Sequence, residues 1–341
     1  MGMMDHSAPD QNRPAEARAF PSEEAPAVDP IPQAGTPASL SSIDPPASRR
    51  VAGQFGDLLD MIKFEHTVFA LPFALLGALS AAQGLPPLRT SLWILAAMVG
   101  ARTGAMTFNR LVDEEVDAEN PRTASRALPA GRVSRVGAMA LMGAGIALFG
   151  LAAGALGPLT WTLSPFALIV ILGYSLCKRF TAWAHVVLGL SLAGAPLGAW
   201  IAVAGRIEAP ALWLSGGVLA WTAGFDILYS LQDEVFDRTK GLHSIPSRLG
   251  TRRALLLSRA LHLLALLCWG MFNHQLGAHL WAWAGWGVVA AMLIREQWLV
   301  RDGDLSRIDQ AFFTLNSFVG LVFFLGHAME WWLSRSLLAP L

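Results

Sequence analysis

Apolar runs of about twenty residues recur along this chain from residue 66 onward, separated by short polar connections, a spacing that suits bilayer-spanning helices. Nine such helices are predicted, over 66–85, 91–112, 134–154, 158–177, 184–204, 210–232, 253–273, 278–295 and 310–333. Trp93, Trp161, Trp213, Trp281, Trp331 and Trp332 fall near their ends, where an aromatic belt belongs. Residues 1–50 differ in character: they hold nine of the twenty prolines and show no hydrophobic periodicity. A disordered Pro/Ala-rich tail is expected there, ahead of a transmembrane domain over 51–341. The tail has no continuous apolar h-region, and His6 stands where a myristoylation signal needs Ser or Thr, so neither a signal peptide nor N-myristoylation is expected.

Composition agrees with a bilayer, since 54% of the 341 residues are hydrophobic and 15% charged, with a mean hydropathy of +0.45. The formal net charge is zero, so partners must be sought in where charges sit rather than in their sum, and no nucleic acid is expected among them. Cys177 and Cys268 lie in or beside apolar segments and read as small core hydrophobes, not as a disulfide or a thiolate metal site. Lys and Arg concentrate after the even-numbered helices, for example at Arg122, Arg126, Lys178, Arg179, Lys240 and Arg301, whereas the opposite side has Arg89, Arg206 and Arg335. The positive-inside rule then puts the N-terminus and the charged connections in the cytoplasm, the expected home being the inner (plasma) membrane.

The candidate chemistry lies in two of those charged connections. Asn109, Asp113 and Asp117 stand at i, i+4 and i+8, so on a continuing helix they project from one face. Asp226, Tyr229, Asp233 and Asp237 repeat an acidic face 120 residues after the first, four helices later, which suggests two four-helix halves plus a ninth helix. Carboxylates against a lipid-buried helix cost several kcal/mol each unless paired, solvated or bound to a cation, on the order of a buried charge anywhere. Hard oxygen ligands suit Mg2+, which commonly joins one or two carboxylates to substrate phosphates. Two ladders facing one cavity would each hold an ion and together bridge a diphosphate. Arg102, Arg110, Arg122, Arg126, Lys178, Arg179 and Lys240 share that membrane side and suit phosphate oxygens. An allylic cation left by the departing pyrophosphate would survive only in an apolar, water-poor chamber. Glu114, Glu115, Glu119 and Glu234 face elsewhere on ideal helices and read as solvated charges or ion-pair partners, with Arg110 and Glu114 forming an i, i+4 pair.

These motifs resemble the UbiA superfamily of intramembrane aromatic prenyltransferases over residues 60 to about 333. The N-x-x-x-D-x-x-x-D signature is present as Asn109, Asp113 and Asp117, with Arg110 following the Asn, and D-x-x-x-D as Asp233 and Asp237, preceded by Asp226 and Tyr229. The family's Y-P-x-x-K-R appears as Tyr174, Ser175, Lys178 and Arg179, with Ser in place of Pro. The resemblance implies an all-α bundle of nine transmembrane helices with a central cavity, in which Mg2+ on both Asp motifs holds a polyprenyl diphosphate and the prenyl group alkylates an aromatic acid acceptor. Residue by residue it implies Asp113, Asp117, Asp233 and Asp237 as metal ligands, and Asn109 at metal or diphosphate. Arg110, Lys178, Arg179 and Lys240 would bind diphosphate or the acceptor carboxylate, and Tyr174 would face the reacting allyl carbon. Asp226 orients the acceptor, takes its proton, or belongs to a polar network inside the bundle. Tyr229 reads as packing.

At the entry to the first helix stand Lys63, Glu65, His66, Thr67 and Phe69 with Pro72 beyond. Lys63 either contacts the acceptor carboxylate or diphosphate, or snorkels to the interface. This stretch resembles a subgroup associated with the futalosine route to menaquinone, so the expected acceptor is 4-hydroxybenzoate or a related ring in ubiquinone or menaquinone biosynthesis. A membrane cation transporter is the rival of another class, but the cations flanking both ladders oppose cation entry. A CDP-alcohol phosphatidyltransferase is excluded because Glu114 and Glu115 follow Asp113 where that motif needs Gly and then Ala-Arg.

Overall fold

A computed structural model describes Gly2, Gly56, Asp57, residues 69–301, Ile308 and residues 314–338; Lys63, Glu65, His66 and the 1–50 tail, apart from Gly2, lie outside the described residues. Among the described residues every element is helical: α1 (Leu71–Ala82), α2 (Leu88–Val112), α3 (Glu114–Glu119), α4 (Arg135–Leu156), α5 (Pro158–Cys177), α6 (Ala184–Ala204), α7 (Ala209–Ser230), α8 (Glu234–Thr239), α9 (Ile245–Leu249), α10 (Thr251–Gln275), α11 (Leu280–Leu299) and α12 (Asn316–Leu338). Six of these, α2, α4, α5, α6, α7 continued through Thr239, and α10, are long and apolar enough to cross a membrane. With α1, α11 and α12 they supply one helix at each of the nine predicted spans. The ends follow local chemistry. Ser134 caps α4 by accepting from the Gly137 N–H at 3.1 Å, and Pro sits in the first turn of α1, α5 and α7, where its missing N–H costs nothing.

Helix pairing divides the bundle. α1, α6, α7, α10, α11 and α12 pack in a closed ring, and α2, α4 and α5 pack on one another and on α6. The ring is filled by aromatic side chains: Phe73 stacks on Trp269 at 5.2 Å, Trp221 meets Phe225 edge-on at 4.9 Å, and Phe323 closes on Trp269 at 5.4 Å. Trp221 donates to Asn316 Oδ1 at 2.7 Å, while Asn316 Nδ2 donates to Glu296 Oε1 at 2.9 Å. α11 runs past its predicted end at 295, which carries Glu296 into this buried network rather than into a connection.

Lipid offers helices no hydrophobic reason to associate, so close packing through small residues does that work. α2 and α4 meet at Gly100 and Gly145, where a Cβ on Gly100 would lie 2.6 Å from the Phe149 nitrogen and 2.7 Å from the Gly145 carbonyl. Burial separates the helices by role. In its most apolar stretch α7 is 72% buried within the protein against 11% for α5, so α7 is the central helix and α5 faces lipid.

Candidate active site

Both acidic motifs are built the same way. α2 stops at Asp113 (φ −94°, ψ 7°), and the six-residue α3 starts at the next residue. α7 gives way to a single 3-10 turn over Leu231–Asp233, Asp233 adopts φ −97°, ψ 3°, and the six-residue α8 follows. The expected straight ladder is therefore interrupted at its middle carboxylate in both halves. In the first motif the break spans one residue, since the Asp117 N–H still donates to the Asp113 carbonyl at 2.7 Å. It leaves the first Asp of each motif part-exposed and turns the second, Asp117 or Asp237, into the protein at 6% and 3% exposure. This shared bridge-region kink supports an internal repeat more directly than the spacing did.

Cations stand beside three of the four carboxylates, Asp113, Asp117 and Asp233. Arg126 Nη1 meets both oxygens of Asp117, at 2.7 and 2.6 Å, and Arg110 Nη1 lies 3.8 Å from Asp117 Oδ2. Asn109 donates to Asp113 Oδ2 at 2.9 Å, and Arg179 stands 3.8 Å from Asp113 while donating to the Val112 carbonyl at 2.6 Å. Arg122, from the connection after the first motif, crosses to the second: it holds Asp233 through Nε at 3.2 Å and Nη2 at 2.6 Å. Lys240, from the connection after the second, reaches back to Glu119. These crossed pairs bring the two connections together on one side of the bundle.

Two local expectations are corrected. Arg110 turns to Asp117 rather than to Glu114, and Glu114 pairs with Arg135 at 3.2 Å, because the kink at Asp113 rotates α3 out of register with α2. Tyr229 is more than packing: its hydroxyl accepts from Arg122 Nη1 at 3.4 Å, and its ring lies 5.7 Å beneath that guanidinium. Of the two readings open for Glu119 and Glu234, the structure shows ion-pair partners, of Lys240 and of Arg238 at 2.9 Å.

Tyr174 and Lys178, near the end of α5, stand between the motifs. Tyr174 is within electrostatic reach of Arg110, Asp113 and Asp226, and Lys178 within reach of Asp113 and Asp226. The Lys178 carbonyl accepts from His243 N–H at 2.7 Å, tying the connection after α8 to the end of α5. Asp226, two turns above Asp233 on α7, is held by His185 Nδ1 at 2.6 Å. No sequence signal singled out His185; it is a lone His in an apolar segment, 41 residues from its partner.

Beside this polar end lies a cavity of about 290 Å3 between α2, α4, α5 and α6. Arg102 and Tyr174 line it together with Ala, Leu, Ile and Met side chains such as Met98, Met106, Leu163 and Ile171. A charged and hydrogen-bonding end joined to an apolar chamber is what an amphiphile with an anionic head requires.

The donor set suits Mg2+. All four aspartates offer hard oxygens, and Asp237 Oδ2 is buried with no hydrogen-bond partner among the described residues, a state that a cation would relieve. No three His, Cys, Asp or Glu side chains among the described residues gather into a cage. Burial pushes the Asp113 carboxyl above the usual aspartate range and the Asp117 charge adds to this, with Lys178, Arg179 and Arg110 pulling the other way.

The comparisons agree with this arrangement. The 4-hydroxybenzoate octaprenyltransferase of Idiomarina loihiensis is 31% identical over 261 residues, covering 74% of this chain and 88% of that protein. The apo structure of a UbiA homolog from Aeropyrum pernix K1 is 34% identical and superposes with a TM-score of 0.72, covering 78% of this chain and 98% of that one. A UbiA homolog from Archaeoglobus fulgidus bound to DMAPP and Mg2+ is 20% identical and shares the fold, with a TM-score of 0.63 over 80% of this chain and 99% of that one. The model of the UbiA prenyltransferase family matches residues 70–318, and this multi-pass membrane protein belongs to that family.

Proposed function

We propose that the protein transfers a polyprenyl group from polyprenyl diphosphate to the ring of 4-hydroxybenzoate in quinone biosynthesis. The observation that carries the reading is the crossing of Arg122 from the first acidic motif to Asp233 of the second, beside an apolar cavity that accommodates prenyl carbons. Curated relatives such as that of Idiomarina loihiensis are 4-hydroxybenzoate octaprenyltransferases, which favours this acceptor.

In this reading Asp113, Asp117, Asp233 and Asp237 hold Mg2+, which when bound neutralises the diphosphate and assists its departure. Asn109 orients Asp113 through its 2.9 Å hydrogen bond. Arg110, Arg122, Arg126, Lys178, Arg179 and Lys240 supply positive charge for the diphosphate and the acceptor carboxylate. Arg122 and Arg126, which hold Asp233 and Asp117, would be available to phosphate oxygens with those aspartates engaged by metal. Tyr174 faces the reacting allyl carbon, where an aromatic ring shields and stabilises positive charge. Asp226 receives the ring proton. The chamber excludes water from the allylic cation. The substrate head is met on the cytoplasmic face of the inner membrane, which the Lys and Arg distribution favours.

Incubation of membranes with Mg2+, a polyprenyl diphosphate and a panel of aromatic acids, with products identified by mass, tests this. A prenylated 4-hydroxybenzoate that forms with Mg2+ and not with EDTA is expected. Prenylation of another acid with none of this product would refute the acceptor, and turnover in EDTA would refute the metal.

A further inference from the structure

His185 opens α6, is fully buried, and bridges two elements. Its Nδ1 lies 2.6 Å from Asp226 Oδ2 on α7, and its Nε2 lies 3.3 Å from the backbone nitrogen of Ile245, the first residue of α9. A backbone N–H can only donate, so Nε2 carries a lone pair and the ring proton sits on Nδ1, aimed at the carboxylate. That segment is itself pinned: Ser244 caps α9 in a reciprocal box with Ser247, and the neighbouring His243 N–H bonds the Lys178 carbonyl. The imidazole therefore has a rigid support on one side and Asp226 on the other. Asp226 retains 22% side-chain exposure, within electrostatic reach of Tyr174 and Lys178.

We propose that His185 is a positioning residue for the proton acceptor: its Nδ1–H fixes Asp226 Oδ2, so that Oδ1 is presented at one angle to the ring carbon being prenylated. The proposal rests on the reading of Asp226 as the group that receives the ring proton. In the step served, the acceptor's ring carbon bonds to the allylic carbon, and the C–O bond to diphosphate breaks with its electron pair leaving on the diphosphate. The proton on the alkylated ring carbon then passes to Asp226 Oδ1, restoring aromaticity. A carboxylate on a long helix has two free torsions. A donor at 2.6 Å held from behind by a backbone N–H removes that freedom without needing a second charge.

The two bonds of the imidazole can be separated. His185→Asn places an amide N–H near the position of Nδ1 and keeps the donor to Asp226, while His185→Gln places an amide oxygen near Nε2 and keeps only the acceptor for Ile245. With geranyl diphosphate, 4-hydroxybenzoate and Mg2+ in detergent micelles, His185→Gln is expected to lose about ten- to a hundredfold in kcat with KM for geranyl diphosphate unchanged, the scale of a misplaced catalytic group. His185→Asn is expected to stay within a few-fold of wild type. Acceptor deuterated at the alkylated carbon should show a larger isotope effect in His185→Gln, because proton removal has become slower. A merely structural role predicts that both variants lose thermal stability and activity together with no change in isotope effect, and that result overturns the proposal. Asp226→Asn, expected to lose about a hundredfold or more as a missing general base does, separates the two levels. If it is crippled while His185→Gln matches wild type, the positioning role falls and the Asp226 reading stands. If Asp226→Asn turns over normally, both fall.

Discussion

Replacing Arg122 by Met removes the guanidinium and keeps the apolar stem. In the structure this arginine holds Asp233 at two points, 2.6 and 3.2 Å, and its side chain is 36% exposed while that of Asp233 is 13% exposed. A fully exposed pair would contribute about 0.2–1 kcal/mol, and breaking a fully buried one costs about 3–5 kcal/mol. The half-buried, two-point bridge falls between, at about 1–2 kcal/mol after allowing for solvent screening on the arginine side. The same bridge competes with Mg2+ for Asp233. Removing it should tighten Mg2+ by about 5–30-fold, the equilibrium factor for that energy. The arginine also supplies charge to the departing diphosphate, so turnover should fall by about a hundredfold, as for loss of one preorganised charge. The signature is therefore two effects of opposite sign. Mg2+-dependent thermal stabilisation of the purified protein without diphosphate should reach its midpoint at lower Mg2+ in Arg122→Met, while kcat with geranyl diphosphate falls. Unchanged or weaker Mg2+ binding with intact turnover would refute the idea that Arg122 and the metal share Asp233.

Three further outcomes are expected. Asp237→Asn replaces a carboxylate that has a buried, unpartnered oxygen; it should raise the thermal midpoint in EDTA and weaken Mg2+-dependent stabilisation by tenfold or more, about 1.4 kcal/mol, and equal Mg2+ response would argue against a ligand role. Burial raises the Asp113 carboxyl pKa in the folded protein above its unfolded value near 3.9. Its stabilising contribution is thus present below about pH 4 and lost as pH rises through the folded value. Asp113→Asn should therefore gain thermal stability over wild type in EDTA at pH 7–8 and not at about pH 4, with turnover abolished; a gain independent of pH would contradict this. Gly100→Leu drives side-chain atoms into the backbone of α4 and should cost at least about 1–3 kcal/mol by overpacking. Gly143→Leu, whose Cβ meets nothing within 4 Å, should be neutral, and equal effects on thermal midpoint would refute the close α2–α4 contact.

Much of the architecture was readable in the residue order. Bilayer thickness sets helix length, and among the described residues a helix stands at each predicted span, six of them long and apolar enough to cross a membrane, with ends displaced by a few residues where caps and prolines act. The candidate residues were legible for the same kind of reason: a repeated i, i+4 carboxylate spacing is a local property, and Asn109, Asp113, Asp117, Asp233 and Asp237 stand at or just past the ends of α2 and α7, on the side where the cations gather. The kinks at Asp113 and Asp233 were not legible. They are short departures, one residue at Asp113 and a three-residue turn ending at Asp233, with no Pro or Gly to mark them.

Partner choice belonged to another level. Nothing local distinguishes Arg122 from Arg126, yet one crosses 111 residues to Asp233 and the other turns back to Asp117. His185 and Asp226 likewise carry no mutual signal along the chain. Such pairs depend on how closely helix backbones approach, which Gly100 and Gly145 permit between α2 and α4, and on which faces α6 and α7 turn to each other. Periodicity and spacing are encoded over a few turns and survive as one-dimensional patterns. A cavity, a crossed ion pair or a buried hydrogen bond exists only once segments a hundred residues apart have packed.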